Sequence, residues 1–277
     1  MQVVRTRAEL RAVLAASPRP IGLVTTMGWL HAGHVSLFRR AREDSRTVVA
    51  TIFVNPRQFG DAADFEKYPR NEARDLAACE AAGVDVVFVP PVDEVYWPGN
   101  DTRVTVGAIA RPLEGAARPG HFDGVATVVA ILFGLVGAER AYFGMKDYQQ
   151  VAVIRRMALD LALVTEVVAC PTVREPDGLA MSSRNARLST AGRIGAAVLH
   201  RALAAGVAAI DAGERDAEAV RARMRDELAT EPAADPDYVS AADPESLAEL
   251  ATIDGRALLS LAVLVEGVRL IDNEVAG

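Results

Sequence analysis

Four short apolar runs punctuate the first part of the chain, at residues 21–26, 47–54, 84–89 and 141–144. Each is compact and lacks the polar alternation of a half-solvated strand, as expected for strands buried on both faces. Between them lie segments of helical period at 33–44, 71–82, 123–136 and 147–161. Strand and helix in repetition predict an α/β fold, a doubly wound, Rossmann-like parallel sheet over residues 1–171. Ligands of such sheets bind beyond the carboxyl ends of the strands, so the residues just after each strand carry the functional information.

The pattern changes after Pro171. Two helices rich in Ala, Arg and Glu are predicted at 191–212 and 216–228, then a turn at 231–236 and short strands at 237–240, 257–265 and 269–271. They predict a smaller α+β domain over residues 172–277, expected to act as a lid on the first.

The longest uncharged apolar stretch, 124–138, is shorter than the ~18–20 residues a bilayer requires and predicts a buried helix. The N-terminal segment lacks the sustained apolar core of a secretory signal. With 51% hydrophobic and 24% charged residues, the balance is that of a globular protein, and a cytoplasmic location with no membrane partner is expected. A net charge of −7 and 5% aromatic content weigh against a nucleic-acid surface. The two cysteines, Cys79 and Cys170, have no metal-ligand spacing and read as buried small hydrophobes in a reducing compartment.

Chemistry gathers at strand ends. The first group is Met27, Gly28, Trp29, Leu30, His31, Ala32, Gly33 and His34, between a predicted strand and a predicted helix. Its glycines permit a sharp turn close to a ligand, and the helix N-terminus suits phosphate. Two of the four histidines in the chain, His31 and His34, add donors at the same place. Two imidazoles with no ligand, or a metal pair, are the other readings, and the metal lacks an acidic or thiol ligand at suitable spacing nearby.

The second group is Gly144, Met145, Lys146 and Asp147. Lys146 is a point charge for phosphate oxygens. Asp147 reads as a helix cap or as a contact to a ribose or metal ion, and taken alone the group reads more often as a plain capped turn. The third is the loop 174–185, where Ser182 and Ser183 lie between Arg174 and Arg184. Hydroxyl and guanidinium donors suit a departing pyrophosphate, although the loop alone also reads as a linker. Amides at Asn55, Gln58, Gln149 and Gln150 suit a small hydroxylated acid, because they donate and accept at once, and for the glutamines a structural tie is an equal reading.

Taken together these segments resemble the pantothenate synthetases, the pantoate–β-alanine ligases among the nucleotidyltransferases with a histidine-x-glycine-histidine turn. The resemblance rests on TMGWLHAGHVSL (26–37), IFVNPRQFG (52–60), DFEKYPR (64–70), ARPGHFDGVATVV (117–129), AYFGMKDYQQVAVIRRM (141–157), DGLAMSSRNARLS (177–189) and VEGVRLIDNE (265–274). It implies a two-step reaction in which pantoate is adenylated by ATP, with Mg2+ accompanying the triphosphate, and the pantoyl adenylate is then taken by β-alanine.

It also implies roles. Residues 27–34, 144–147 and 181–184 would hold the nucleotide, with Met181, Ser182, Ser183 and Arg184 in the last of these and Val173 contributing by its backbone. His34, His31 and Lys146 would be catalytic, His34 being the family's assigned proton donor. Gln58 and Gln150 would hold pantoate, with Asn55 beside them and Gln58 also next to β-alanine. No protein-held metal site is expected, and a homodimer is. Thr25, Trp29, Ala32, Arg57 and Met145 depart from the usual pattern and bear on affinity more than on reaction type. The alternatives are transfer of a nucleotidyl group to a phosphate ester, which would call for extra cations at the acceptor, and a catalytically silent nucleotide-binding protein.

Overall fold

The computed structural model describes residues 1–60 and 62–277. The chain divides into two compact units, 1–145 with 149–171 and 146–148 with 172–277. The short piece 146–148 groups with the second because the Lys146 carbonyl accepts from Asn273 and the Tyr148 hydroxyl donates to the Pro244 carbonyl.

In the first unit, β1 (Gln2–Val4), β2 (Ile21–Thr26), β3 (Thr47–Ile52), β4 (Val86–Phe88), β5 (Arg140–Gly144) and β6 (Glu166–Cys170) form one parallel sheet in the order β1-β4-β3-β2-β5-β6. The connecting helices are α1 (Arg7–Ala16), α2 (Ala32–Asp44), α3 (Ala62–Lys67), α4 (Glu72–Ala81), α5 (Val92–Val95), α6 (Glu114–Ala117), α7 (His121–Val136) and α8 (Tyr148–Asp160). Alternate residues of the central strands serve opposite faces. Ile21, Leu23 and Val49 pack with Leu10, Val129 and Ile154 on one side. Val24, Val48 and Ala50 pack with Phe38, Ala41 and Cys79 on the other. Both faces are covered, as a doubly wound sheet requires.

The order places a switch point between β2 and β5, since the chain leaves β2 toward β3 and later returns to the other side of β2. β2 pairs with β3 over its whole length, from Ile21↔Thr47 to Thr26↔Ile52. With β5 it pairs only at Gly22↔Arg140 and Leu23↔Ala141. Residues 24–26 and 142–144 therefore run on without a ladder between them, and the carboxyl ends of the two strands part. This is where an open α/β sheet takes its ligand.

Two strands went unpredicted, β1 and β6; both lie at the sheet edges and are short. The apolar stretch at 124–138 falls largely in α7, which is buried nearly all round.

The second unit is an antiparallel sheet of β7 (Ala234–Ala242), β8 (Ala257–Val265) and β9 (Val268–Ala276). It packs with α9 (Thr190–Gly195), α10 (Val198–Asp211) and α11 (Ala217–Leu228). The predicted helix 191–212 is interrupted at Ala196–Ala197, just after Gly195. By length and composition the run Thr190–Asp211 is apolar enough to cross a membrane. Half of it is buried in the protein, with Leu199, Leu203 and Ile210 packed against Met224, Leu259 and Leu261. β9 extends past the predicted 269–271 because its polar residues find partners: Asp272 meets Arg174 at 2.6 Å, and Asn273 donates to the Lys146 carbonyl.

Candidate active site

The histidine turn is built from the end of β2 outward. Thr26 is buried and donates its hydroxyl to the Thr51 carbonyl at 2.7 Å, while accepting the Gly28 N–H at 3.2 Å. Gly28 and Trp29 both take positive φ, 82° and 52°. For Trp29 this is a costly conformation, so something must hold it. The Asp75 carboxylate, 1% exposed, does so by accepting the Trp29 N–H at 2.7 Å and the Leu30 N–H at 2.8 Å. The adjacent Arg74 donates to the Leu30 carbonyl at 2.8 Å, and its guanidinium lies 4.7 Å from the centre of the Trp29 ring.

His31 then caps α2. Its Nδ1 accepts the Gly33 N–H at 3.2 Å, and His34 Nδ1 accepts the His31 N–H at 3.3 Å, a reciprocal capping box made of two imidazoles. A ring nitrogen that accepts a hydrogen bond cannot carry the proton. Both neutral rings are therefore protonated at Nε2. The ring centroids are 4.1 Å apart. The thirteen-residue α2 adds the positive end of its dipole at the same point.

Asn55 and Gln58 belong to the turn after β3, where Pro56–Gln58 forms a single 3-10 turn. Asn55 is 1% exposed, and its amide is fully engaged. It donates to Gln58 Oε1 and the Gly124 carbonyl, both at 3.1 Å, and accepts from the Arg57 N–H and the Tyr96 hydroxyl. Through the first of these bonds it also secures the Gln58 side chain. The Gln58 amide donates to Met27 Sδ at 2.9 Å, which joins this turn to the histidine turn. From behind, His121 Nδ1 donates to the Gln58 carbonyl at 2.9 Å. Helix α7 reaches this position because Gly124 has no side chain; a Cβ there would sit 2.2 Å from the Arg57 carbonyl oxygen.

Gly144 ends β5, where a Cβ would meet nothing within 4 Å, and Met145 opens a single 3-10 turn, Met145–Asp147. The neighbouring glutamines have different fates. Gln149 is buried, accepts from the Glu114 N–H at 3.0 Å and donates to the carbonyls of Ile109 and Pro112 at 3.1 and 2.7 Å. It ties the loop 109–114 down. Gln150 is half-buried and takes no part in that network.

The second unit holds the remaining predicted positions. Lys146 is largely buried, with Nζ 3.7 Å from Asp147 Oδ1. Val173 and Met181 face each other across a narrow hairpin, the Val173 carbonyl accepting the Met181 N–H at 2.9 Å. Ser182 caps the 3-10 turn Ser183–Arg187, its Oγ accepting the Arg184 N–H at 3.2 Å. Lys146, Ser182, Arg184, Asn185 and Arg269 line one small cavity of this unit. Arg174, read as a flanking phosphate donor, is committed elsewhere. It meets Asp272 at 2.6 Å and Glu274 at 3.1 Å and donates to the Gly178 carbonyl, so its role is to hold the loop. Among the described residues no group of three His, Cys, Asp or Glu side chains converges as a metal site.

Sequence reasoning missed Arg74, Asp75, Tyr96 and His121. Asp75 left a trace. It falls four residues before Cys79 on the apolar face of α4, an acidic residue where the helical period calls for a hydrophobe.

The sequence matches the Pantoate-beta-alanine ligase family over residues 2–275. It is 58% identical over 273 residues to the pantothenate synthetase of Roseiflexus sp. (strain RS-1), covering 99% of this chain and 98% of that one. The crystal structure of pantothenate synthetase from Thermus thermophilus superimposes with a TM-score of 0.94 at 48% identity, covering 99% of both chains. The pantoate-beta-alanine ligase of Francisella tularensis, crystallised with beta-gamma ATP and beta-alanine, gives a TM-score of 0.82 at 31% identity, covering 99% of this chain and 97% of that one. With a strand-end histidine turn on a matching fold throughout, the chain belongs to the pantoate–β-alanine ligase family.

Proposed function

We propose that this chain condenses pantoate with β-alanine to give pantothenate, using ATP and releasing AMP and pyrophosphate. In the first step the pantoate carboxylate attacks the α-phosphorus, and the bond to the bridging oxygen of pyrophosphate breaks. In the second the β-alanine amine attacks the acyl carbon of pantoyl adenylate, and AMP leaves. The carboxylate is ionised at pH 7 and needs no base. The protein must supply alignment and donors for the charge that grows on the leaving pyrophosphate.

One observation carries the reading: the Gln58 amide sits on Met27 at 2.9 Å, so an uncharged group that can both donate and accept stands against the nucleotide turn. An amide suits a hydroxy acid, and Gln58 with Gln150 are its assigned holders, Asn55 acting through Gln58. His31 and His34 offer Nε2–H donors to phosphate oxygens, and residues 27–34 with Gly144 and Met145 cradle the nucleotide. Lys146, Asp147, Val173 and Met181 to Arg184 complete the set assigned to ATP. Magnesium enters as part of the nucleotide, held by phosphate oxygens and water, which suits its preference for substrate phosphates over a protein cage.

We place the enzyme in the cytoplasm as a homodimer. The two buried, unpaired thiols suit a reducing compartment, and burial pushes Cys79 up to about 12, leaving it inert at neutral pH. The reading is tested by measuring AMP release with ATP, pantoate and β-alanine, each omitted in turn. AMP should require all three for steady turnover. Turnover without pantoate would overturn it.

A further inference from the structure

Helix α4 carries two charged residues that the reaction scheme does not use, yet both reach the nucleotide turn. We propose that Arg74 and Asp75 are positioning residues for ATP, acting through the backbone of residues 28–30. This rests on the assignment of that turn to the nucleotide.

Between β2 and α2 the chain passes through two successive residues of positive φ, and only the first is glycine. Asp75 accepts two consecutive N–H groups at this place, from Trp29 and Leu30, at 2.7 and 2.8 Å. Charge-assisted bonds of this kind are short and directional, and they fix the two peptide planes rather than merely satisfying them. Arg74 holds the next peptide unit by donating to the Leu30 carbonyl, and it covers the indole of Trp29. Gly28 completes the fit, because a Cβ there would lie 2.9 Å from Asp75 Oδ2.

A carboxylate that is 1% exposed is expensive to bury, and an ordinary loop would have its amides satisfied by water. Here both charged residues are spent on the segment that sets where His31 begins and which way the first amides of α2 point. Neither is assigned to a reacting atom. Their effect should therefore appear in ATP binding and leave pantoate recognition alone.

The experiment uses the full chain with Trp97→Phe, so that Trp29 becomes the sole tryptophan; Trp97 lies on the surface at 57% exposure and belongs to neither candidate substrate group. ATP is titrated against Trp29 emission, and KM is measured for ATP and pantoate separately. In Asp75→Asn one backbone N–H loses its acceptor and faces an amide N–H instead. The KM and the emission midpoint for ATP should rise about tenfold or more while the pantoate KM stays within about twofold, as loss of one charge-assisted bond to an ordered turn implies. Arg74→Ala, a change at a half-exposed side chain, should raise the ATP values by about three- to tenfold. Equal rises for ATP and pantoate, or no change in a folded Asp75→Asn protein, would overturn the proposal. Should Asp75→Asn fail to fold, an unchanged ATP midpoint in Arg74→Ala overturns it alone. A parent protein that binds ATP at Trp29 but forms no AMP would defeat the proposed reaction while leaving this inference to the same titration.

Discussion

His34 Nδ1 accepts the backbone N–H of His31 at 3.3 Å, and this contact decides which edge of the imidazole faces a ligand. With Nδ1 occupied as an acceptor, the proton sits on Nε2. The ring can then donate to a phosphate oxygen without first being charged. The same residue thus stabilises the start of α2 and supplies a donor, and the two jobs use different nitrogens.

They can be separated by substitution. His34→Asn keeps an acceptor near the Nδ1 position and removes the Nε2 donor, whereas His34→Ala removes both. Each should slow adenylate formation by about 10²–10³-fold, the range for loss of one donor to a developing oxyanion. Only the alanine variant should also lose about 1 kcal/mol of stability, the usual value of a helix cap. Rapid-quench measurement of adenylate, paired with urea unfolding, gives both numbers.

Two glycines of the candidate site predict opposite patterns. Gly28→Ala places a Cβ at a φ of 82° and 2.9 Å from Asp75 Oδ2, so it should cost about 1–2 kcal/mol of stability as well as ATP affinity. Gly144→Ala meets no protein atom within 4 Å. Its melting temperature should match the parent, and its ATP KM should rise if a nucleotide approaches the backbone there. Calorimetry and steady-state kinetics on the pair distinguish them.

Adjacent glutamines make a third contrast. Gln149→Ala removes three buried hydrogen bonds, to Glu114, Ile109 and Pro112, and should destabilise the protein by about 2–4 kcal/mol. Gln150→Ala should leave unfolding unchanged and raise the KM for pantoate. Loss of stability at Gln150, or loss of pantoate affinity alone at Gln149, would reverse the assignment.

Acid should loosen the loop that bears Ser182 to Arg184. Asp177 is held below its ordinary value of 3.8, chiefly by its hydrogen bonds to the Arg193 guanidinium, which approaches at 2.6 Å. A depressed carboxylate contributes stability that is present above the ordinary value and is lost as pH falls through the folded one. Arg193→Gln should therefore be less stable than the parent near neutrality, with the difference vanishing as pH drops below 3.8. Denaturant unfolding across that range measures it.

The doubly wound sheet was legible because β2, β3 and β5 are apolar on both faces and are followed by turn residues that open helices. The histidine turn was legible for the same local reason. What escaped is what depends on partners far along the chain. Asp75 shows in the sequence only as an acidic residue on the apolar face of α4, and its partners at residues 28–30 emerge once that helix is docked. Arg174 looks like a phosphate donor until β9 brings Asp272 and Glu274 to it, and those same residues look like the end of a strand until Arg174 neutralises them. Asn55 and Gln58 carry the same carboxamide; that the first is buried and bonded to Tyr96 and Gly124 emerges only with the fold.

Isotope exchange between pyrophosphate and ATP tests most directly whether pantoate itself takes the adenylyl group. In the absence of β-alanine, labelled pyrophosphate should enter ATP only when pantoate is added, and His34→Asn should abolish most of that exchange. Exchange that proceeds equally without pantoate, or none when pantoate is present, would contradict it.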